Sequence, residues 1–192
     1  LTRVDPSLGP EMKSTGEIMG TDLDYPRALY KAMVACGVDM PPRGAIIATI
    51  ADADKPEALP VLRGFFELGY RLICTSGTAR FLAENGIETE TANKIHEGGQ
   101  TLVSLIQDGR VDLLVNTVSS NKRSEQEARV LRRAAVENGV PCLTSLETAS
   151  ALLEALTTRG HDQAGPNCMT IDEYCNFAAA PGRDVTETER HA

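Results

Sequence analysis

The segment Cys74-Thr75-Ser76-Gly77-Thr78-Ala79 stands where a short apolar run gives way to a helical pattern, and its residue types suit the capture of an anion. The first N–H groups of a helix lack partners within it, the hydroxyls of Thr75 and Thr78 can donate, and glycine lets backbone approach a ligand. Lys55 follows an earlier apolar run, Lys94 a later one, and Asn116-Thr117 closes another. A lysine ammonium is a point charge for a phosphate or carboxylate, while an asparagine amide, donor and acceptor at once, suits a sugar hydroxyl or a base edge. Each residue also has an ordinary role. Thr75 and Thr78 can cap a helix, and Lys55 and Lys94 can be solvated surface lysines. A lysine in the first turn of a helix opposes the helix dipole, so Lys55 there needs an anion nearby.

The remaining reactive groups are sparse. Asp52 and Asp54 form the one carboxylate pair near Lys55 in sequence; they could exchange protons with a substrate, or one could cap the helix starting near Pro56 while the other is solvated. His96 has no neighbouring cysteine or second histidine, which argues against a metal site. Lys122, Arg123, Arg129, Arg132 and Arg133 read as a solvated helix face or a contact with an acidic neighbour. No aromatic residues lie beside them to stack bases, and a net charge of −8 argues against general nucleic-acid binding. The five cysteines (Cys36, Cys74, Cys142, Cys168, Cys175) show no paired spacing and read as reduced thiols filling small core gaps. No apolar run approaches the ~18 to 20 residues that span a bilayer, and the start lacks the order of a signal peptide. The expectation is a cytoplasmic protein with no membrane contact.

Positioning these residues requires a scaffold, and the chain from Gly44 onward alternates apolar runs with amphipathic segments. Strands are expected at 45–50, 71–75, 111–117 and, more weakly, 141–145, with a short segment at 87–92. Helices are expected at 23–36, 56–68, 78–85, 101–108, 124–138 and 146–157, with Gly37, Gly69, Gly86, Gly109 and Gly139 at their ends. This alternation predicts a doubly wound α/β fold, a parallel five-stranded sheet with helices on both faces. Ligands of such sheets bind beyond the carboxyl ends of the strands, where all the candidate residues fall. Residues 1–20 carry no sustained period, 21–43 read as a connecting helix and linker, 44–159 as the domain, and 160–192 as a polar, largely disordered tail.

Several stretches carry a resemblance: LGPEMKSTGEIMG, Asp52-Ala53-Asp54-Lys55, CTSGTA, Asn93-Lys94-Ile95-His96-Glu97-Gly98, VNT and RVLRRAA. Together they resemble the carboxyl-terminal part of the carbamoyl-phosphate synthase large chain over residues 8–156. The resemblance implies that residues 1–20 are the end of an ATP-grasp half and that 44–159 form an allosteric domain of the methylglyoxal-synthase-like fold. It implies an effector pocket at Lys55, Thr75, Ser76, Gly77, Thr78, Lys94, Asn116 and Thr117, with Thr49 near the strand end. Lysine at 94 is similar to the nucleotide-regulated members, which implies UMP, with IMP as a second candidate. ATP with Mg or Mn, and the glutaminase small subunit, would belong to the parent enzyme, and the ATP-grasp half would be a partner of this domain. No cofactor and no catalysis are expected in the fragment, whose exposed parental surface could make it a homo-oligomer. Val118 and Cys142 depart from residues common in nucleotide- and ornithine-regulated members. The alternative is a lyase similar to methylglyoxal synthase, acting on dihydroxyacetone phosphate. That family carries a histidine where Ala51 stands and a Gly-Gly-Asp segment where Asn116-Thr117-Val118-Ser119-Ser120 offers no carboxylate.

Overall fold

The computed structural model describes residues 18–92, 101–118, 121–159 and 169–178. Five strands, β1 (Ala45–Thr49), β2 (Arg71–Cys74), β3 (Glu90–Thr91), β4 (Leu113–Asn116) and β5 (Cys142–Leu143), form one sheet in the order β3-β2-β1-β4-β5. Every pairing is parallel, so each connection must cross over a face of the sheet. The helices α2 (Lys55–Glu67), α3 (Ser76–Glu84), α4 (Leu102–Gln107) and α5 (Lys122–Glu137) lie in these crossovers. Before the sheet comes α1 (Tyr25–Ala35), and after it α6 (Leu146–Arg159) and α7 (Ile171–Ala178).

Successive side chains of a strand point to opposite faces, and the core divides accordingly. Ile46, Ala48, Leu72, Cys74, Leu113 and Val115 pack with Leu62, Phe65, Leu82 and Leu152 of α2, α3 and α6. Ala45, Ile47, Ile73 and Leu114 pack with Leu105, Ile106, Leu131 and Ala135 of α4 and α5. Burial on both faces explains why the central strands read as unbroken apolar runs. The doubly wound fold is therefore as the sequence predicts. Register brings Thr49 of β1 level with Asn116 of β4, and Ala48 level with Cys74 of β2. The three central strands thus end close together. Gly69 (φ 84°) lets α2 stop and the chain turn back into β2, and Gly139 (φ 68°) does the same after α5.

Four details differ from the sequence expectations. The edge strands β3 and β5 are two residues each, because an edge offers only one partner strand. The helix α3 starts at Ser76, so the hydroxyl-rich turn is itself the first turn of the helix. Within 21–43, Tyr30 of α1 and Met40 enter the core, 3% and 1% exposed within the same cluster as β1, and Tyr70 donates its hydroxyl to Pro41 O at 2.8 Å. Cys36 is exposed and fills no core gap, whereas Cys74 is buried.

Of the tail 160–192, expected to be largely disordered, residues 160–168 and 179–192 lie outside the described residues, while 171–178 form α7. Thr170 and Glu173 cap it reciprocally, with Thr170 N donating to Glu173 Oε2 and Glu173 N to Thr170 Oγ1. Tyr174 ties it to the start of the domain: its hydroxyl donates to Thr21 O at 2.9 Å and receives Lys31 Nζ at 2.9 Å. Lys31 also pairs with Asp22 Oδ2 at 2.8 Å. Burial pushes the Asp22 carboxyl up, but the Lys31 hydrogen bond and charge outweigh it, leaving it below its ordinary 3.8. Burial likewise opposes the Lys31 charge, and Asp22 and Tyr174 outweigh it, leaving Lys31 above 10.5. The Asp22 contribution is thus present above the ordinary carboxylate value and lost as pH falls through the lowered one. The Lys31 contribution is present below the ordinary ammonium value and lost as pH rises through the raised one. The joint holds across the neutral range. Tyr174→Phe should speed amide hydrogen exchange in 171–178 about fivefold, the equivalent of ~1 kcal/mol, with β1 and β4 unchanged. Equal exchange in the two proteins would show that other contacts hold α7.

Candidate functional site

Strand order places a switch point between β1 and β4: the chain leaves β1 toward β2 on one side and enters β4 on the other. The loops beyond these two strands must part, and a crevice opens between them. It encloses a cavity of about 260 Å³. Thr49, Ile50, Ala51, Asp52 and Lys55 line it after β1, Thr75, Gly77 and Thr78 at the start of α3, and Asn116 and Thr117 after β4. Leu102 of α4 and Ser124, Glu127, Ala128 and Leu131 of α5 complete the wall. One side is polar and the other largely apolar.

The polar end is built on two helix starts. Lys55, the first residue of α2, donates from Nζ to Gly77 O at 3.0 Å and pairs with Asp52 Oδ1 at 2.6 Å. The Lys55 side chain is 15% exposed and that of Asp52 94%. Asp52 is therefore the anion that offsets a lysine at a helix start. The Lys55 hydrogen bond, followed by its charge, holds the Asp52 carboxyl below its ordinary 3.8. Neither aspartate caps α2: Asp54 takes the cap position in a helical conformation and makes no capping bond, and Asp52 is engaged by Lys55.

Thr75 takes the cap position of α3 with extended backbone, and its hydroxyl also makes no capping bond. The first backbone bond of the helix runs from Ala79 N to Thr75 O at 2.9 Å. The N–H groups of Ser76, Gly77 and Thr78 therefore have no carbonyl of the helix to meet. Ser76 and Gly77 are exposed, and a methyl group added at Gly77 would meet only Lys55 Nζ, at 3.8 Å. Thr78 is 2% exposed, and its Oγ1 accepts from Ile50 N at 3.4 Å, joining α3 to the loop after β1. Burial raises the Cys74 thiol to about 12, so it stays protonated at neutral pH.

The floor is a buried polar network. Asn116, 3% exposed, donates from Nδ2 to Thr49 Oγ1 at 2.6 Å and accepts at Oδ1 from Arg132 Nη1 at 2.6 Å. Arg132 in turn donates from Nη2 to Glu125 Oε1. Thr117 Oγ1 accepts from Ala51 N at 2.8 Å, tying the two parting loops together. The amide of Asn116 is thus held at both ends by the protein, with one N–H and one lone pair of the oxygen left over. Arg132 is not part of a solvated basic face, because its guanidinium reaches inward to Asn116; Arg129 and Arg133 are the exposed members.

Of the residues singled out from sequence, Thr49, Lys55, Thr75, Gly77, Thr78, Asn116 and Thr117 line one cavity. Ser76 sits at the same helix start without lining it. Lys94 and His96 lie outside the described residues, as do Ser119 and Ser120. Sequence reasoning missed Arg132, Glu125 and the apolar wall of α4 and α5. Their signal was spacing: Glu125 and Arg132 lie seven residues, about two helical turns, apart and share one face.

Two stability measurements separate these roles. Thr75→Ala should leave urea-unfolding stability within about 0.5 kcal/mol, since its hydroxyl caps nothing. Asn116→Ala should cost about 1 to 3 kcal/mol by leaving buried partners unmet. A large loss at Thr75 or none at Asn116 would reverse the assignment.

Residues 57–144 match the MGS-like domain family. Among solved structures, the chain is similar to a methylglyoxal synthase from Elizabethkingia anophelis NUHP1, at 20% identity over 59% of this chain and 79% of that one, with a TM-score of 0.48. It is similar to ForH at 18% identity, over 62% of this chain and 80% of that one, with a TM-score of 0.49. Among the described residues no helix is long and apolar enough to cross a membrane.

Proposed function

We propose that this chain, which carries an MGS-like domain over residues 57–144, is a regulatory unit that binds a phosphorylated nucleotide. The effector would be UMP, with IMP as a second candidate. Binding would adjust carbamoyl phosphate synthesis by a carbamoyl-phosphate synthase large chain of which this chain is part. The observation that supports it most is the juxtaposition of the Lys55 ammonium with the start of α3. The ammonium is 3.0 Å from Gly77 O, beside three amides without helical partners and a Thr75 hydroxyl that caps nothing. A phosphate there would meet a positive charge, a helix N-terminus and a hydroxyl together. An ammonium has three protons, so Lys55 can keep its bond to Gly77 while exchanging Asp52 for the phosphate. Asp52, almost wholly exposed, would then turn into water. The nucleoside would lie toward Leu102, Ala128 and Leu131.

On this reading the domain holds a ligand without transforming it. Ala51, Asn116 and Thr117 supply no group that could take a proton from a carbon acid; Asp52, once released by Lys55, would be solvated, and Glu127 stands on the α5 wall. Regulation then requires the nucleotide to favour one arrangement of the parent enzyme over another, since equal affinity for both shifts nothing.

Isothermal titration with UMP, IMP and N-acetylglutamate tests the reading. Heat is expected with a nucleotide, and Lys55→Ala should weaken binding by roughly 1.5 to 3 kcal/mol, the scale of a hydrogen bond to a charged group. Heat from N-acetylglutamate alone would overturn the nucleotide reading. Production of methylglyoxal from dihydroxyacetone phosphate would overturn the absence of chemistry.

A further inference from the structure

Arg132 determines more than the position of Asn116. An arginine side chain has five N–H donors and no acceptor. The Asn116 atom 2.6 Å from Arg132 Nη1 must therefore be the amide oxygen, which turns the amide nitrogen toward Thr49. There it donates to Thr49 Oγ1 at 2.6 Å, so Thr49 accepts and its own hydroxyl proton remains to be given. Thr117 is in the same condition, with Oγ1 accepting from Ala51 N at 2.8 Å. Both threonines line the cavity. Glu125 holds the guanidinium from its other nitrogen, so Arg132 is fixed on both sides.

We propose that Arg132 is a positioning residue that sets the direction of the Asn116 amide and thereby leaves Thr49 a hydroxyl donor on the pocket floor, beside the Thr117 hydroxyl that the Ala51 amide leaves free to donate. The floor then selects a ligand that meets it with an oxygen acceptor, a carbonyl or oxyanion, in addition to the anion held near Lys55. The part about ligand choice rests on the proposed nucleotide site; the part about the amide does not. A neutral side chain at 132 removes the constraint and allows the amide to turn over, which would present Asn116 oxygen to Thr49 and consume the Thr49 proton.

Nuclear Overhauser spectra of the free protein read the amide directly. In the parent, the Asn116 Nδ2 protons should show a contact with the Thr49 methyl group. Arg132→Met should lose it, and Arg132→Lys, still a donor without an acceptor, should keep it. UMP affinity should fall roughly tenfold in Arg132→Met and stay near the parent in Arg132→Lys. No contact in the parent, or the same contact in Arg132→Met, overturns the proposal, as does unchanged UMP affinity in a folded Arg132→Met protein. If Arg132→Met does not fold, the parent contact and its retention in Arg132→Lys decide. If the parent binds no UMP, the nucleotide reading falls and the amide contact alone decides whether Arg132 directs Asn116.

Discussion

Where β1 and β4 part, a polar side chain has to be satisfied without water, and the amide of Asn116 does this by joining Thr49 to Arg132. Leaving either end unmet would cost about 1 to 3 kcal/mol, so the strand ends and α5 are held in one geometry. The rest of the site depends on it. Thr49 is fixed at the end of β1, Thr117 ties the following loops together, and the wall of α5 carrying Ala128 and Leu131 takes its place relative to the floor. The cavity is thus a consequence of how a parallel sheet with this strand order must split, lined by side chains that settle the polar groups left at the split.

The opposite end of the cavity follows a different rule. Two helices begin side by side, α2 with a lysine and α3 with hydroxyls and a glycine. Each helix start favours negative charge, and Lys55 answers by binding the carbonyl of Gly77 and the carboxylate of Asp52. Asp52 thus occupies the role that an external anion would take, on a side chain that is almost entirely in water. Exposed ion pairs contribute little net stability, so an incoming phosphate has little to displace. The buried network at the floor resists change, while the charged end is easily rearranged.

The sequence was most informative where physics acts through neighbours in the chain. The apolar runs of β1, β2 and β4 were legible because both faces of the sheet are covered, and Gly69 and Gly139 marked turns that need positive φ. The cluster of Lys55, Thr75, Gly77, Thr78, Asn116 and Thr117 was legible because strand ends are where a parallel sheet gathers its ligand groups. Edge strands β3 and β5 were blurred, being two residues each. What stayed hidden depends on partners distant in sequence. Only its seven-residue spacing from Glu125 sets Arg132 apart from the exposed Arg129 and Arg133, and its other partner, Asn116, lies on a strand. Nor does local sequence say that Asp52 rather than Asp54 is engaged, since the choice follows from where Lys55 reaches. The helix α7 was obscured by its polar surroundings, although Thr170-Ile171-Asp172-Glu173 has the spacing of a capping box.

The central claim is that an anionic ligand sits on the start of α3 beside Lys55. Titration of the ¹⁵N-labelled protein with UMP, followed by amide chemical shifts, tests it most directly. The account predicts that the amides of Ser76, Gly77 and Thr78 shift furthest and saturate together. Saturable binding that leaves these three amides unmoved, or no shift anywhere at millimolar UMP, would contradict it.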